Sequence, residues 1–260
     1  MSCIWLISFI LVAWTDEGLQ QHVDWIKQGK LNAIYGIDVI RRMQHLLQNY
    51  IYVHNKHILV IGSLLPWIEA LLLELGVSHI TTLEYEPYRT NHRNVTTIDP
   101  TEFSNLVLKN NAPMFDAMVS FSSIEHSGLG RYVLENLRYT YIFKIFRSTL
   151  LLNSITFVSF LSEKRYGDQL NPWGDIITMG RAWCQMKPGS RALVGLPAAK
   201  DTICFNAHRL YGSFLFQHLF ANFRHIYSEG DPNILKRKVD CRTSHNYQPM
   251  HILEKVNRHF

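Results

Sequence analysis

The fold is decided by residues 57–86, which read HILVIGSLLPWIEALLLELGVSHITTLEYE. The first five residues are mainly apolar, include β-branched types and end at Gly62, a pattern typical of a buried parallel strand. Pro66 suits the first turn of a helix, where no N–H is needed, and Gly76 suits its C-terminal end. A second strand then ends at Glu84. The order strand, glycine turn, helix, strand and acid predicts a nucleotide-type α/β fold.

The turn after the first strand supports the fold more strongly than it supports a bound cofactor. Glu84 lies 22 residues after Gly62, close to the ~20 residues at which a carboxylate reaches ribose hydroxyls in such folds. Gly62 is the only glycine of the turn, because Ser63, Leu64 and Leu65 follow it. A turn with fewer glycines keeps a ligand farther from the backbone. An intact cofactor site and a purely structural turn therefore both stay open.

Composition and charge narrow the classes of protein to consider. The 260 residues carry a net charge of +5 and are 47% hydrophobic, as expected for one large domain or one domain with an appendage. The only compact basic run is at residues 236–238, which is too short to track phosphates, so no nucleic-acid partner is expected.

The cysteines and histidines give no metal motif. Four cysteines, Cys3, Cys184, Cys204 and Cys241, are scattered without a C-x-x-C pair. This spacing predicts buried, reduced thiols rather than a zinc site or a disulfide framework. None of the 13 histidines falls in an H-E-x-x-H arrangement, so no metal is predicted.

Residues 1–30 form an apolar N-terminal segment that is treated apart from the domain at 31–260. Its apolar part ends at Trp14, short of the ~20 residues of a membrane span. It lacks a basic start and is followed by Asp16 and Glu17, so a cytoplasmic location is favoured. A cleaved signal, a membrane anchor and a carbohydrate-modifying enzyme at a membrane surface stay as alternatives. The sequon at Asn94-Val95-Thr96 has consequences only for a secreted chain.

The rest of the chain alternates strands with helices. Such alternation, followed by a late pair of strands that is a candidate for antiparallel pairing, predicts a doubly wound α/β sheet with a mixed edge. Because ligands bind at the carboxyl ends of parallel strands, Glu84, Asp99 and residues 120–126 are expected to converge on one crevice. Strands are predicted at 95–98, 115–121, 191–196, 223–228 and 249–254, and helices at 34–51, 101–108, 175–185 and 211–220.

The sequence resembles two known groups of proteins, one broad and one narrow. Residues 115–126 read FDAMVSFSSIEH, and together with a helix that ends at residues 187–189 they resemble the back half of class I S-adenosylmethionine-dependent methyltransferases. More closely, most of residues 30–256 resemble a nematode family of unknown function that is considered methyltransferase-like. The shared phrases lie at 62–63, 66–70, 81–85, 121–132, 171–175 and 206–212.

The resemblance implies a Rossmann-like, class I methyltransferase-type fold with S-adenosylmethionine as cofactor. By position, Gly62 and Ser63 line the methionine end, Glu84 binds the ribose and Asp99 lies near the adenine. The full set of implied cofactor contacts is Gly62, Ser63, Glu84, Tyr85, Asp99 and Ser120.

Glu125 and His126 are the candidate catalytic residues, since they occupy the loop that faces cofactor and substrate in the family. His126 is suited to act as a base because the pKa of histidine is ordinarily near neutrality. The alternative is that both side chains only hold the loop by hydrogen bonds. The implied reaction is methyl transfer to an unidentified small molecule, driven mainly by alignment. A non-catalytic scaffold that binds a ligand or partner is the alternative function.

One segment interrupts the family phrase. Deletion of residues 132–165 joins Gly128-Leu129-Gly130-Arg131 to Tyr166-Gly167-Asp168, which restores the phrase. The segment holds five basic and two acidic residues, a net charge of +3, so the remaining chain carries 5 − 3 = +2. Two hypotheses stay open: a retained intron or mis-joined gene model, and a genuine insertion beside the crevice.

Overall fold

The computed structural model describes residues 10–30, 35–85, 88–129, 170–204, 207–241 and 247–256. The interruption at 132–165 lies outside these residues, and so does Cys3.

A seven-stranded sheet forms the centre of the described chain. Its strand order is β3-β2-β1-β4-β5-β9-β8. The first five strands are parallel, and β9 is antiparallel to both β5 and β8. The strands are β1 (His57–Ile61), β2 (His79–Leu83), β3 (Val95–Ile98), β4 (Phe115–Phe121), β5 (Met186–Gly195), β6 (Thr202–Cys204), β7 (His208–Leu210), β8 (Phe223–Ser228) and β9 (Met250–Lys255). The predicted fold, a doubly wound Rossmann-like α/β sheet with a mixed edge, is confirmed.

Helices cover both faces of this sheet. They are α1 (Asp16–Lys27), α2 (Ile37–Leu46), α3 (Trp67–Glu74), α4 (Pro100–Leu108), α5 (Gly174–Gln185) and α6 (Ser213–Leu219). A π-helical turn at Leu47–Ile51 continues α2, and short 3-10 turns lie at Ile124–His126 and Pro232–Lys236. No helix among the described residues is both long enough and apolar enough to cross a membrane.

The central strand β1 divides its side chains between two hydrophobic cores. Ile58 and Val60 pack on the side of α1, α2 and α3, whereas Leu59 and Ile61 pack on the side of α4, α5 and α6. Successive side chains of a strand point to opposite faces, so an uninterrupted apolar run serves both cores. This is why the four apolar residues 58–61 in a row predicted β1 correctly.

The sheet also creates the crevice. From β1 the order runs through β2 to β3 on one side, and through β4 to β5 on the other. The connections therefore leave a gap above the carboxyl ends of β1 and β4, the place where doubly wound folds bind ligands.

The first helix belongs to the same core. Trp14 and Leu19 are fully buried and pack with α3. Thr15 caps α1 by accepting a hydrogen bond from the Gly18 N–H. Residues 14–27 thus form part of the domain core, although the sequence set residues 1–30 apart.

The cysteine prediction is wrong for three of the four residues. Cys204 and Cys241 form a disulfide, and Cys184 is free but exposed rather than buried. The two bonded cysteines are 37 residues apart, with no spacing motif to pair them. The short antiparallel hairpin of β6 and β7 places Cys204 beside Cys241, and this hairpin was not predicted either.

Candidate functional site

A cavity of about 350 Å³ lies above the carboxyl ends of β1, β2 and β4. Its walls come from the turn after β1, the tip of β2, the start of α4, the loop after β4 and the middle of α5. The volume falls in the range of small-molecule sites, which hold ligands of cofactor size. The expected crevice is therefore present where the strand order reverses.

Gly62 forms the floor of this cavity in a conformation that only glycine adopts readily. Its φ is +75°, and a Cβ at this position would lie 1.9 Å from Ser123 Oγ. The Gly62 N–H donates to Leu83 O at 3.0 Å. The single glycine of the turn is therefore required by both backbone geometry and the close approach of the loop after β4.

Glu84 lies at the tip of β2 and faces the same turn. Its carboxylate accepts hydrogen bonds from the Ser63 N–H and the Tyr85 N–H, each at 2.8 Å. All three residues line the cavity. The sequence spacing between Gly62 and Glu84 thus corresponds to a real juxtaposition, while their roles toward a cofactor stay predictions.

A buried carboxyl group that sequence reasoning missed lies directly beneath Ser63. Glu69 of α3 has no exposed surface, and its oxygens lie 2.7 Å from Thr82 Oγ1 and 2.9 Å from Ser63 Oγ. Burial raises the pKa of Glu69 to about 7, against the partial opposition of these hydrogen bonds.

The hydrogen bonds of Ser63 agree with a protonated Glu69. Ser63 Oγ is 2.9 Å from Leu65 O as well as from Glu69 Oε2. A hydroxyl has one proton, and a backbone carbonyl can only accept it. When Ser63 donates to Leu65, the Glu69 carboxyl group must supply the proton for its own contact with Ser63. The neutral acid satisfies both contacts.

Glu69 is expected to make folding stability fall as the pH rises. Its folded-state pKa of about 7 lies above its ordinary value of 4.5, so between these values the folded chain holds a proton that the unfolded chain releases. The contribution of Glu69 to the free energy of unfolding is complete below about pH 4.5 and is lost as the pH rises through about 7. Relative to Glu69→Gln, wild-type stability should fall by about 3 kcal/mol across this window.

Urea unfolding at pH 4.5, 6 and 8 measures this effect. The Glu69→Gln variant keeps a neutral group of the same shape and serves as the matched control. Parallel pH profiles for the wild type and the variant would show that Glu69 does not titrate in this window.

Two of the implied cofactor contacts do not line the cavity and have hydrogen-bond partners of their own. Asp99 caps α4, and its carboxylate accepts a hydrogen bond from the Glu102 N–H at 2.7 Å. Ser120 is fully buried within the sheet, where its hydroxyl donates to Ile61 O at 3.0 Å. Neither residue lines the cavity, because Ser120 precedes the end of β4 and Asp99 turns into the helix.

The two candidate catalytic residues differ in their surroundings. His126 lines the cavity, and its Nδ1 lies 2.6 Å from Ala207 O. A carbonyl only accepts, so Nδ1 carries the proton and Nε2 of the neutral ring is the basic atom. Glu125 is 1% exposed and does not line the cavity. Its Oε1 contacts Ser122 Oγ at 2.9 Å and lies 3.7 Å from His126 Nε2.

The two side chains meet different partners. His126 borders the cavity and its ring is held by Ala207 O, whereas Glu125 contacts Ser122 within the loop. Ser122 itself has a φ of +53° and receives a hydrogen bond from Gln248 at 3.0 Å. Both side chains thus have contacts that hold the loop, and their roles in catalysis stay predictions.

Arg209, another residue that the sequence did not single out as functional, holds this loop from the other side. Its guanidinium is almost fully buried and lies 3.4 Å from the carboxylate of Asp175. It also donates to the backbone carbonyls of Ser127 at 2.6 Å, Pro172 at 3.0 Å and Glu125 at 3.3 Å. One side chain thus joins the loop after β4 to the start of α5.

An aromatic wall borders the cavity beside the glycine turn. The ring of Tyr35 lies 4.8 Å from that of Phe121 and 6.0 Å from that of Trp67. All three line the cavity. The rings meet in tilted and edge-to-face arrangements, and together they provide an apolar aromatic surface next to the backbone turn at Gly62.

A family model matches this chain over residues 55–138 and 136–255. The model describes Caenorhabditis proteins of unknown function and is called DUF268. The chain belongs to the DUF268 family. The nematode resemblance that the shared phrases indicated is therefore confirmed. No curated protein matches the sequence at a significant level.

Solved structures similar to this DUF268 chain include several methyltransferases. The N-methyltransferase NodS from Bradyrhizobium japonicum is 12% identical with a TM-score of 0.44, and the match covers 85% of this chain and 96% of NodS. The 1,6-didemethyltoxoflavin-N1-methyltransferase from Burkholderia thailandensis is 11% identical with a TM-score of 0.47, over 92% of this chain and 87% of that one.

A third similar structure carries a different name. A protein from Lactococcus lactis that is named as a hemolysin is 11% identical with a TM-score of 0.48. The match covers 87% of the DUF268 chain and 90% of the Lactococcus lactis chain. The fold of the DUF268 chain follows from its own strand order, in which the sheet reverses between β1 and β4.

Proposed function

We propose that this chain binds S-adenosylmethionine in the crevice above β1 and transfers its methyl group to a small molecule. The observation that carries the proposal is the position of Glu84. Its carboxylate lies at the tip of β2, against the Gly62–Ser63 turn and on the wall of a cavity of suitable volume. This is where a doubly wound fold presents an acid to ribose hydroxyls.

The residues present fit such a cofactor. Glu84 would hold the ribose hydroxyls, since each carboxylate oxygen has lone pairs beyond the one that its backbone N–H partner uses. The Gly62–Ser63 turn would face the methionine portion. Apolar side chains of Leu83 and Phe103 line the cavity near the start of α4, the side expected for the adenine. When bound, the cofactor supplies a methyl group activated by a sulfonium.

The chain's own contribution to the reaction would be alignment and proton removal. The aromatic wall of Tyr35, Trp67 and Phe121 would orient a flat acceptor beside the turn. His126 Nε2 would accept the proton that the acceptor's oxygen or nitrogen loses on methylation, while Nδ1 stays bonded to Ala207. Glu125 would keep the loop in place and touch no reactant.

Glu84→Ala is expected to weaken binding of S-adenosylhomocysteine by ~10–100-fold. Hydrogen bonds to a charged group contribute ~1.5–3 kcal/mol each, and a tenfold change in affinity is ~1.4 kcal/mol. Calorimetric titration into the full chain measures the change. Asp38→Ala, which removes an exposed carboxylate on α2, is the control and should bind as the wild type does.

The same titration tests the alternative of a non-catalytic scaffold. That alternative is favoured by the turn itself, where Leu64 and Leu65 stand in place of further glycines and Leu64 O accepts from the indole of Trp14 at 3.4 Å. Folded wild-type protein that takes up no S-adenosylhomocysteine would reject the proposed methyl transfer and support the scaffold.

A further inference from the structure

The disulfide between Cys204 and Cys241 bears on the cellular compartment in which this chain folds. Cys204 is 3% exposed and packs in a small cluster with Ala199 and Leu210. Disulfides form and persist in oxidising compartments and are rare in the cytosol. The bond therefore points to the secretory pathway, which is the condition under which the sequon at Asn94-Val95-Thr96 becomes relevant.

The fold places this sequon at the entrance to an edge strand. Asn94 is half-buried in a turn in which the Val95 N–H donates to His92 O at 3.1 Å, and β3 begins at the next residue. Thr96 is exposed. Among the described residues β3 is the last strand on its side of the sheet, so the sequon lies at the rim of the domain.

The contacts of Asn94 use its backbone. Its N–H donates to His92 Nδ1 at 3.2 Å, and its carbonyl accepts from the Ile80 N–H at 2.8 Å. No hydrogen bond of its side-chain amide occurs within the part of the chain that the structure describes. A sugar on this amide would displace no hydrogen bond observed there.

The sequon is also remote from the crevice. Asn94 pairs with the amino end of β2, whereas the cavity lies at the carboxyl ends of the parallel strands. A glycan at Asn94 would leave the site open. It would also cover part of an edge strand, and edges of sheets are surfaces that proteins protect from pairing with other chains.

We propose that Asn94 is an N-glycosylation site and that the chain matures in the secretory pathway with Cys204 and Cys241 oxidised. Two independent features agree on this compartment: a buried disulfide, and a sequon located where the fold leaves room for a glycan. The proposal is independent of the proposed methyl transfer, because neither feature belongs to the crevice.

Expression of the full chain in cultured insect cells tests the proposal. The wild-type band should move faster on gel electrophoresis after treatment with peptide N-glycosidase F. Asn94→Gln and Thr96→Ala should remove this shift, whereas Thr96→Ser, which preserves the sequon, should retain it. Two variants that lose the sequon through different residues separate loss of the glycan from loss of the fold.

The disulfide is tested in the same cells. Free thiols are blocked with iodoacetamide before lysis, and the protein is then reduced and analysed by mass spectrometry. Cys204 and Cys241 should escape the first alkylation, while Cys184 is modified. A wild-type chain with no enzyme-sensitive shift, or one in which Cys204 and Cys241 are both alkylated before reduction, would overturn the proposal.

Discussion

Arg209→Ala is expected to lower the free energy of unfolding by ~3–5 kcal/mol, the range for loss of one partner from a buried ion pair. Arg209 is 1% exposed, and its removal leaves the carboxylate of Asp175 without its nearby cation. Three backbone carbonyls lose their donor at the same time. Urea unfolding measures the loss, which is large because a buried carboxylate and three backbone carbonyls lose the guanidinium as a donor.

One further variant separates charge from geometry at Arg209, and a second, at an exposed arginine, serves as the control. Arg209→Lys keeps a cation near Asp175 but lacks the planar fork that reaches several acceptors, so it should recover only part of the lost stability. Arg41→Ala removes an exposed arginine that lies 3.7 Å from Asp38, and it should change stability by less than about 1 kcal/mol. Equal effects at Arg209 and Arg41 would contradict the role assigned to Arg209.

Short, local patterns made most of the sheet predictable. β1 and its turn are encoded by four apolar residues followed by one glycine, at positions 58–62. β4 and β8 were predicted with the bounds that the structure gives. The hairpin of β6 and β7 was missed because each strand has three residues, too few for an alternating pattern to emerge.

The helix α1 was missed for a different reason. Its buried residues Leu19, Val23 and Ile26 follow helical spacing, and Thr15 with Asp16 forms a typical start. These signals were present in the sequence. They lie directly after an apolar stretch that has the character of a signal or an anchor, and this stretch obscures the amphipathic pattern that follows it.

Within the site, the sequence identified the residues at strand ends and missed those that support them. Gly62 and Glu84 follow from spacing alone, since the βαβ unit fixes their separation. Arg209 contacts Glu125 and Ser127 across more than 80 residues, and no local pattern encodes such a contact. Glu69 gave one usable signal, because it is a carboxyl group within an otherwise apolar helix segment that predicts burial on all sides. A fully buried carboxyl group is rare unless it has a partner.

Reduction of the Cys204–Cys241 disulfide is expected to cost about 4 kcal/mol of stability. The bond closes a loop across a separation of 37 residues, and the loss of loop entropy in the unfolded chain gives this magnitude. Urea unfolding with and without a phosphine reductant measures the difference on the same protein. The double variant Cys204→Ser with Cys241→Ser should resemble the reduced wild type.

The free cysteine supplies the control for this experiment. Cys184 is exposed and unpaired, so Cys184→Ser should leave the oxidised protein unchanged and equally sensitive to the reductant. Reduction should also loosen the β6–β7 hairpin. Its second strand, β7, carries Arg209 and begins directly after Ala207, whose carbonyl holds His126. Faster amide hydrogen exchange is therefore expected at residues 207–211 in the reduced protein. Identical unfolding midpoints for the oxidised and reduced chains would contradict a structural role for the bond, because a closed loop of this length restricts the unfolded state.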